Sequence, residues 1–304
     1  MLDKIFLKIS QIFNRICTKL SIDMSIVFQK TLFPFNFTTV VSKDFIDIRS
    51  ISCPVCGNIT KIEPFDTNLR ETGFCKCCGS WNRQRLMAVL LINLIERFTG
   101  VRVPHLSCEI PKTLKIYSAE WFGATHEALR RFPGYFWSRY SGGQYKSGDI
   151  VNGHPHQDLL ATSFPENHFD IVLTSDVMEH IPEPYLAHRE IYRILKPGGA
   201  HLFTVPCKMN TPLDEQWAAL VGDKIVHLIP HPEWHGDEED SNLVYTIFGM
   251  EMICHLWVLG FAVRLYEVFD TGKGIIDSNS VAFEAIKHHN PIPRPIPTGL
   301  RNCS

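Results

Sequence analysis

Gln157 to Pro206 reads QDLLATSFPENHFDIVLTSDVMEHIPEPYLAHREIYRILKPGGAHLFTVP, and this stretch decides the fold. FDIVLTSD (169–176) is an almost continuous apolar run, the pattern of a strand buried on both faces of a parallel sheet. PYLAHREIYRIL (184–195) is an amphipathic helix stopped by KPGG. AHLFTVP (200–206) is the next strand. Working outward, TLKIYSA (113–119) and YFWSRYS (135–141) read as strands around the helix THEALRRF (125–132). Toward the C-terminus, FGMEMICHLWVLG (248–260) is a helix with a glycine stop, and FAVRLYEVF (261–269) and SVAFEAIKH (280–288) are strands. Alternating β and α units imply an α/β fold with a doubly wound, mostly parallel sheet. Such sheets bind ligands at the carboxyl ends of their strands, so the loops after Ala119, Tyr140, Asp158 and Asp176 should share one edge.

The chain has 304 residues and a formal net charge of -2, which offers no electrostatic reason for non-specific nucleic-acid binding. No apolar run approaches the ~20 residues of a membrane span; LMAVLLINLI (86–95) is a buried helix instead. Ten cysteines are many, and the pattern CPVCG…CKCCG places Cys53, Cys56, Cys75 and Cys78 at the C-x2-C…C-x2-C spacing of tetrahedral zinc. Four filled positions make that zinc structural, in a reducing compartment. Cys77 is a bystander or a competing ligand, and Cys17, Cys108, Cys207, Cys254 and Cys303 read as small apolar residues.

The expected organisation is a helix and linker over 1–50, a zinc-ribbon module over 51–82, a main domain over 83–290 with an insertion at 207–245, and a proline-rich tail over 291–304. Residues 1–20 repeat apolar residues at helical spacing opposite Lys4, Lys8, Arg15 and Lys19. A basic amphipathic helix of this kind lies on an anionic membrane surface, serves as a targeting segment, or docks on its own domain.

Residues 158–206 closely resemble the S-adenosylmethionine-dependent class I methyltransferases, of the methyltransferase type 11-like kind. The resembling features are the D-L pair at Asp158 and Leu159, the FD-apolar strand, the E-H turn at Glu179 and His180, and L-K-P-G-G. The resemblance implies a seven-stranded Rossmann-like sheet and S-adenosylmethionine as cofactor. Asp158 would accept from the adenine amine and Leu159 would pack on the ring. Ser175, Asp176 and Val177 would lie beneath the sulfonium. Ser118, Ala119 and Gly123 would leave room for the methionine part, with Glu120 reaching it. The wider chain resembles a subgroup with an N-terminal zinc ribbon, an R-x-R at Arg83 and Arg85, and an insertion like HPEWHGDEED (231–240). That subgroup usually ends its second strand S-E-Y, the acid holding the ribose hydroxyls. Here the residues are Ser138, Arg139 and Tyr140, and arginine cannot accept a hydrogen bond. This departure bears on cofactor affinity, with Glu120 left as the nearest carboxylate.

If the turn after Ser175 continues as a helix, Asp176 and Glu179 share one face, a spacing that resembles the acid-x-x-Glu-His of quinone-type O-methyltransferases, where it can hold a divalent metal through hard oxygen donors; the alternative is that Glu179 and His180 stabilise the turn and shape the pocket wall. The catalytic candidates are His180, His235 and Asp176, a histidine serving as general base for a hydroxyl acceptor. Pro230 and Pro232 break any helix that would align His227, His231 and His235, so the insertion reads as a loop bearing Trp234 and His235 over the site, with Glu233 and Asp237 nearby. Arg83 and Arg85 either bind an anionic substrate group or solvate a helix start. The expectation is a cytoplasmic methyltransferase, peripheral to a membrane if residues 1–20 bind one, acting on a small-molecule, glycan or lipid-linked acceptor. No nucleic-acid partner is expected. The alternatives are a zinc-ribbon RNA methyltransferase and a cofactor-dead binding module.

Overall fold

The computed structural model describes residues 50–235, 242–276 and 281–288. The expected helix over 1–20, the tail over 291–304, Cys17, Cys303 and Asp237 lie outside the described residues. Six strands form the main sheet: β1 (Ile116–Ser118), β2 (Tyr135–Trp137), β3 (Phe169–Ser175), β4 (Leu195–Thr204), β5 (Phe261–Glu267) and β6 (Val281–Lys287). Their spatial order is β5-β6-β4-β3-β1-β2. β4, β3, β1 and β2 run parallel, and β6 lies antiparallel between β5 and β4. The chain proceeds outward in opposite directions from β1 and from β3, so the boundary between them is the switch point where ligands bind.

The resemblance implied seven strands, and the described residues form six in this sheet; beyond β2 the sheet is barely continued. There, the segment ending QDLL runs parallel to β2 through a single bridge between Arg139 and His156. Pro155 cannot donate to a ladder, and Ile150–Val151 turns back on His154–Pro155 as a hairpin, which leaves one residue to continue the sheet.

Among the described residues, four helices cover the sheet: α1 (Asn82–Thr99), α2 (Gly123–Leu129), α3 (Pro184–Ile194) and α4 (Glu251–Leu259). Leu86, Leu90, Leu94 and Ile95 recur at helical spacing and carry α1 onto the face bearing Ile116, Ile171, Leu173, Ala200 and Leu202. Ile191 and Ile194 of α3 and Leu256 of α4 pack with Val172, Phe203 and Phe283 on the opposite face. β3 is therefore covered on both sides, which is why its apolar run is almost continuous. Gly100, in the left-handed region at φ 70°, ends α1 by donating its N–H to the Glu96 carbonyl. KPGG does more than stop α3: Leu195 is already extended, and residues 195–199 begin β4, with a register shift opposite Phe169 and Ile171. Asp170 serves the fold, accepting from the Lys115 N–H at 2.8 Å and pairing with Lys196 at 2.7 Å.

Between α3 and β4, His188 and His201 are fully buried with ring centroids 5.4 Å apart. Burial holds His188 down to about 3, with His255 adding to the effect, and holds His201 well below the usual imidazole range. A histidine whose folded value is depressed stabilises the fold above its unfolded value and loses that contribution as pH falls. Acid should therefore destabilise the protein from about pH 6.5 downward, His188 alone accounting for up to about 2 kcal/mol by pH 5. Urea unfolding at pH 7 and pH 5 checks this: His188→Leu should narrow the gap between the two pH values.

Candidate active site

The ends of β1, β2 and β3 and the segment at 158 converge on one edge of the sheet. After β1, Ala119 donates its N–H to the Leu173 carbonyl at 3.2 Å, and Ser118 accepts from the Glu120 N–H at 3.2 Å. The Glu120 carboxyl is pushed up to about 7, first by burial and then by the nearby Asp176 charge, against the opposing pull of Arg83. Beyond β2, Ser138 is buried with its hydroxyl 2.7 Å from that of Tyr117, while Tyr140 is exposed. The Arg139 guanidinium lies 4.5 Å from the centre of the Trp121 ring, a cation–π contact between the second strand end and the loop after β1. Asp158 folds into a tight turn, one carboxylate oxygen accepting from the Leu160 N–H at 2.8 Å.

At the end of β3, Asp176 sits in the left-handed region with φ 52°. Its carboxylate pairs with Arg70 and with Arg83, the latter at 3.2 Å, and accepts from the Thr204 hydroxyl at 2.9 Å. Arg83 also reaches the Ser175 hydroxyl and pairs with Glu71 at 2.8 Å. Burial works to raise the Asp176 carboxyl, but Arg83 and Arg70 outweigh it and hold the group below its ordinary range. Burial likewise opposes the Arg83 charge, and Asp176 and Glu71 more than restore it.

Several expectations are corrected here. Asp176 and Glu179 do not share a helical face, because the left-handed Asp176 is followed by a single 3-10 turn, Met178–His180, and an extended Ile181. The carboxylate of Asp176, a catalytic candidate, is held by Arg70, Arg83 and the Thr204 hydroxyl. Leu159 is only 7% exposed and packs in the core with Tyr117 and Phe169, so the apolar surface at that edge belongs to Leu160. Gly123 opens α2 at φ 88°, and a Cβ there would lie 2.5 Å from the Gln84 side chain, so its space admits α1. Val177 is half-buried against the core beneath the same edge. Arg83 and Arg85 do not solvate a helix start. Arg85 is fully buried and donates to the Gly274 and Ser80 carbonyls, tying the cysteine module to the main domain.

The structure brings His180 and His235 together. Trp234–His235 pairs antiparallel with Asn242–Leu243, and this short ladder lies over the Met178–His180 turn. The Tyr245 N–H donates to the Glu179 carbonyl at 2.7 Å, fastening the two segments. The imidazole centroids are 5.0 Å apart, edge to face. Burial lowers His180, partly offset by its hydrogen bond to the Leu243 carbonyl, and His180 is therefore neutral at pH 7. His227 and His231 are exposed elsewhere in the insertion.

In the cysteine module, Cys53 and Cys78 have sulfurs 3.8 Å apart, and Cys56 and Cys75 4.0 Å apart. All four sulfurs fall within 4.8 Å of one another. Sulfurs sharing a tetrahedral zinc at bonds of about 2.3 Å stand about 3.8 Å apart, so the donor set fits. Gly57 and Gly79, at φ 79° and 71°, close each knuckle by donating to the Cys53 and Cys75 carbonyls at 2.8 Å. Cys77 is exposed, outside this group.

Arg70, Glu71 and Thr204 belong to the site and escaped the sequence reading. Arg70 lies in the loop between the two cysteine knuckles, where no periodicity or motif marks it; only folding carries it to β3.

Residues 146–203 match the family Methyltransf_11, a methyltransferase domain. Tocopherol O-methyltransferase of Arabidopsis thaliana is 25% identical over 137 residues, 43% of this chain and 39% of the relative. Ubiquinone biosynthesis O-methyltransferase of Pseudomonas entomophila is 37% identical over 62 residues, 20% of this chain and 26% of the relative. The chain thus spans well under half the length of these curated relatives. Among solved structures, the [4+2]-cyclase SpnF aligns with a TM-score of 0.38 at 15% identity, covering 78% of this chain and 89% of that one.

Proposed function

We propose that this chain, which carries the S-adenosylmethionine-dependent class I methyltransferase domain, transfers the cofactor's methyl group to a small-molecule, glycan or lipid-linked acceptor. The observation that carries the reading is the convergence of four chain segments, at Ser118–Glu120, Ser138–Tyr140, Asp158 and Ser175–Asp176, on the switch-point edge of the sheet. The residues there suit the cofactor. Glu120 offers a carboxylate for its cationic methionine end, and the second Asp158 oxygen can accept from the adenine amine. Arg139 can donate to the ribose hydroxyl oxygens but cannot accept from them. Arg70 and Arg83 supply positive charge for a carboxylate.

When bound, the cofactor supplies an electrophilic methyl group. The chain's own contribution is positioning and exclusion of water. Ser118 and Ala119 keep the β1 loop close to the sheet, and the buried Arg83–Asp176 pair fixes the floor. A hydroxyl acceptor must also lose its proton, and the imidazoles of His180 and His235 stand over this edge to take it. The cysteine module is read as a structural zinc ribbon whose work is to seat Arg70 and Arg83 against β3. Among the described residues no helix is long and apolar enough to cross a membrane, so a lipid-linked acceptor would be met from the side, with residues 1–20 as the proposed contact.

The test is transfer of labelled methyl from S-adenosylmethionine into cell extract by the full-length protein, followed by mass spectrometry of the product. Label should enter a non-nucleic-acid fraction. Label confined to RNA would replace this reading with the RNA-methyltransferase alternative.

A further inference from the structure

Residues 105–108 are strapped to the first cysteine knuckle. Leu106 donates its N–H to the Pro54 carbonyl at 3.0 Å, and Ser107 donates its N–H and its hydroxyl to the Val55 carbonyl at 3.1 and 3.0 Å. The His105 ring lies over Gly57, where a Cβ would stand 2.3 Å from it. The glycine of the knuckle therefore makes room for His105 as well as for the turn. The loop is itself tight, the Cys108 N–H reaching the His105 carbonyl at 3.2 Å. That turn sets the Cys108 sulfur 3.2 Å from His105 Nε2.

Cys108 also lines a cavity of about 870 Å³ between the cysteine module and α2. Cys56 and Cys78 line the same cavity, as do Ala124 and Ala128 of α2. These three cysteines are half-buried, whereas Cys53 and Cys75 are buried. The residues that follow Ser107 and Val55 are Cys108 and Cys56, so the two thiols are attached at neighbouring points of the strapped segments. A thiol beside an imidazole is the arrangement of a nucleophilic cysteine: the ring takes the proton and the thiolate attacks. Exposure alone would favour Cys77; the imidazole and the cavity favour Cys108.

We infer that Cys108 is a hydroperoxide-reactive thiol that goes on to form a disulfide with Cys56. In the first step His105 Nε2 accepts the Cys108 proton and the sulfur attacks a peroxide oxygen. An S–O bond forms and the O–O bond breaks. The leaving oxygen takes the proton back from the imidazole and departs as water or an alcohol. The product is a sulfenic acid, which condenses with a nearby thiol. In the second step the Cys56 sulfur attacks the Cys108 sulfur. An S–S bond forms, the S–O bond breaks, and the hydroxyl leaves as water with the proton of the Cys56 thiol. Two cysteines are oxidised by two electrons and one hydroperoxide is reduced. In a reducing compartment such a bond is transient, as redox-sensing disulfides are.

Oxidation withdraws Cys56 from the four-sulfur group, which needs all its thiolates to hold zinc. Arg70 lies between the two knuckles and Arg83 follows the second, so a loosened module releases both from Asp176. The effect on methyl transfer rests on the reading above; the disulfide does not.

The experiment treats the full-length protein with hydrogen peroxide, quenches with an alkylating reagent and maps linked peptides by mass spectrometry. Wild type and Cys77→Ser should form the Cys56–Cys108 linkage. In Cys108→Ser, Cys56 should stay open to alkylation at peroxide concentrations that link it in wild type. His105→Gln, its fold checked by a thermal melt, should form the linkage about 10-fold more slowly. If His105→Gln does not fold, the map of wild type and Cys108→Ser decides alone. Peroxide that oxidises Cys77 while Cys108 remains alkylatable would overturn the inference. So would a linkage that joins Cys56 to any cysteine other than Cys108, whatever the outcome of the methyl-transfer assay.

Discussion

Replacing Arg83 with alanine should destabilise the folded protein by about 3–5 kcal/mol, the cost of removing one partner from a buried ion pair. Arg83 is 7% exposed at its side chain and bridges Glu71, Ser175 and Asp176, so its loss leaves the Asp176 carboxylate buried with only Arg70 to balance it. Arg70 keeps the effect toward the lower end of that range. Asp176→Asn should cost less in the Arg83→Ala background than in wild type, because the charge it removes is already uncompensated there. Urea denaturation of the four proteins in this cycle measures the coupling. Arg83→Lys should not restore stability fully, since a single ammonium cannot reach three acceptors as a guanidinium fork does. A change below 1 kcal/mol for Arg83→Ala would mean that solvent reaches the pair freely.

Glu120→Ala should weaken S-adenosylmethionine binding about 10- to 100-fold, the range expected for loss of a charge-assisted contact in a mostly buried site. The pH dependence is the sharper signature. The carboxyl titrates at about 7 in the free protein, and only its ionised form attracts the cationic end of the cofactor. Affinity should therefore rise from pH 6 to pH 8 in wild type and stay flat in Glu120→Gln. Stability runs the other way in the free protein. A carboxyl whose folded value is raised contributes stability below its unfolded value of about 4.5, and that contribution is lost as pH climbs through about 7. Calorimetric titration at the two pH values checks the first claim and thermal melts without cofactor the second. Unchanged binding in Glu120→Ala would remove this residue from the site.

The fold was legible wherever one pattern had one structural meaning. FDIVLTSD could be buried only as an inner strand, and the glycine after WVL could only stop a helix, so the order of β3, α3, β4 and α4 followed from periodicity. The cysteine spacing likewise has few readings. The site was legible by position rather than by role. The strand ends fell on one edge as expected, but their contacts depend on chain segments far away in sequence. Arg70 meets Asp176 across 106 residues and Arg83 meets Ser175 across 92, and nothing local in the β3 turn reports that. Gly123 looked like room for a cofactor and instead gives room to Gln84. The Asp176–Glu179 spacing implied one helical face, but Asp176 is left-handed and stands before the 3-10 turn that holds Glu179. His180 and His235 share a site only because a two-residue ladder folds the insertion back over the turn, a pairing too short to leave a sequence pattern.

The central claim is that the switch-point edge binds S-adenosylmethionine although its second strand ends in arginine. Isothermal calorimetry of the full-length protein with S-adenosylmethionine at pH 8 tests it most directly. The account predicts saturable binding, one cofactor per chain, that weakens in Glu120→Ala and in Asp158→Ala. No heat of binding at millimolar cofactor, from protein whose thermal transition shows it folded, would contradict the account and leave the domain as a methyltransferase fold without its cofactor.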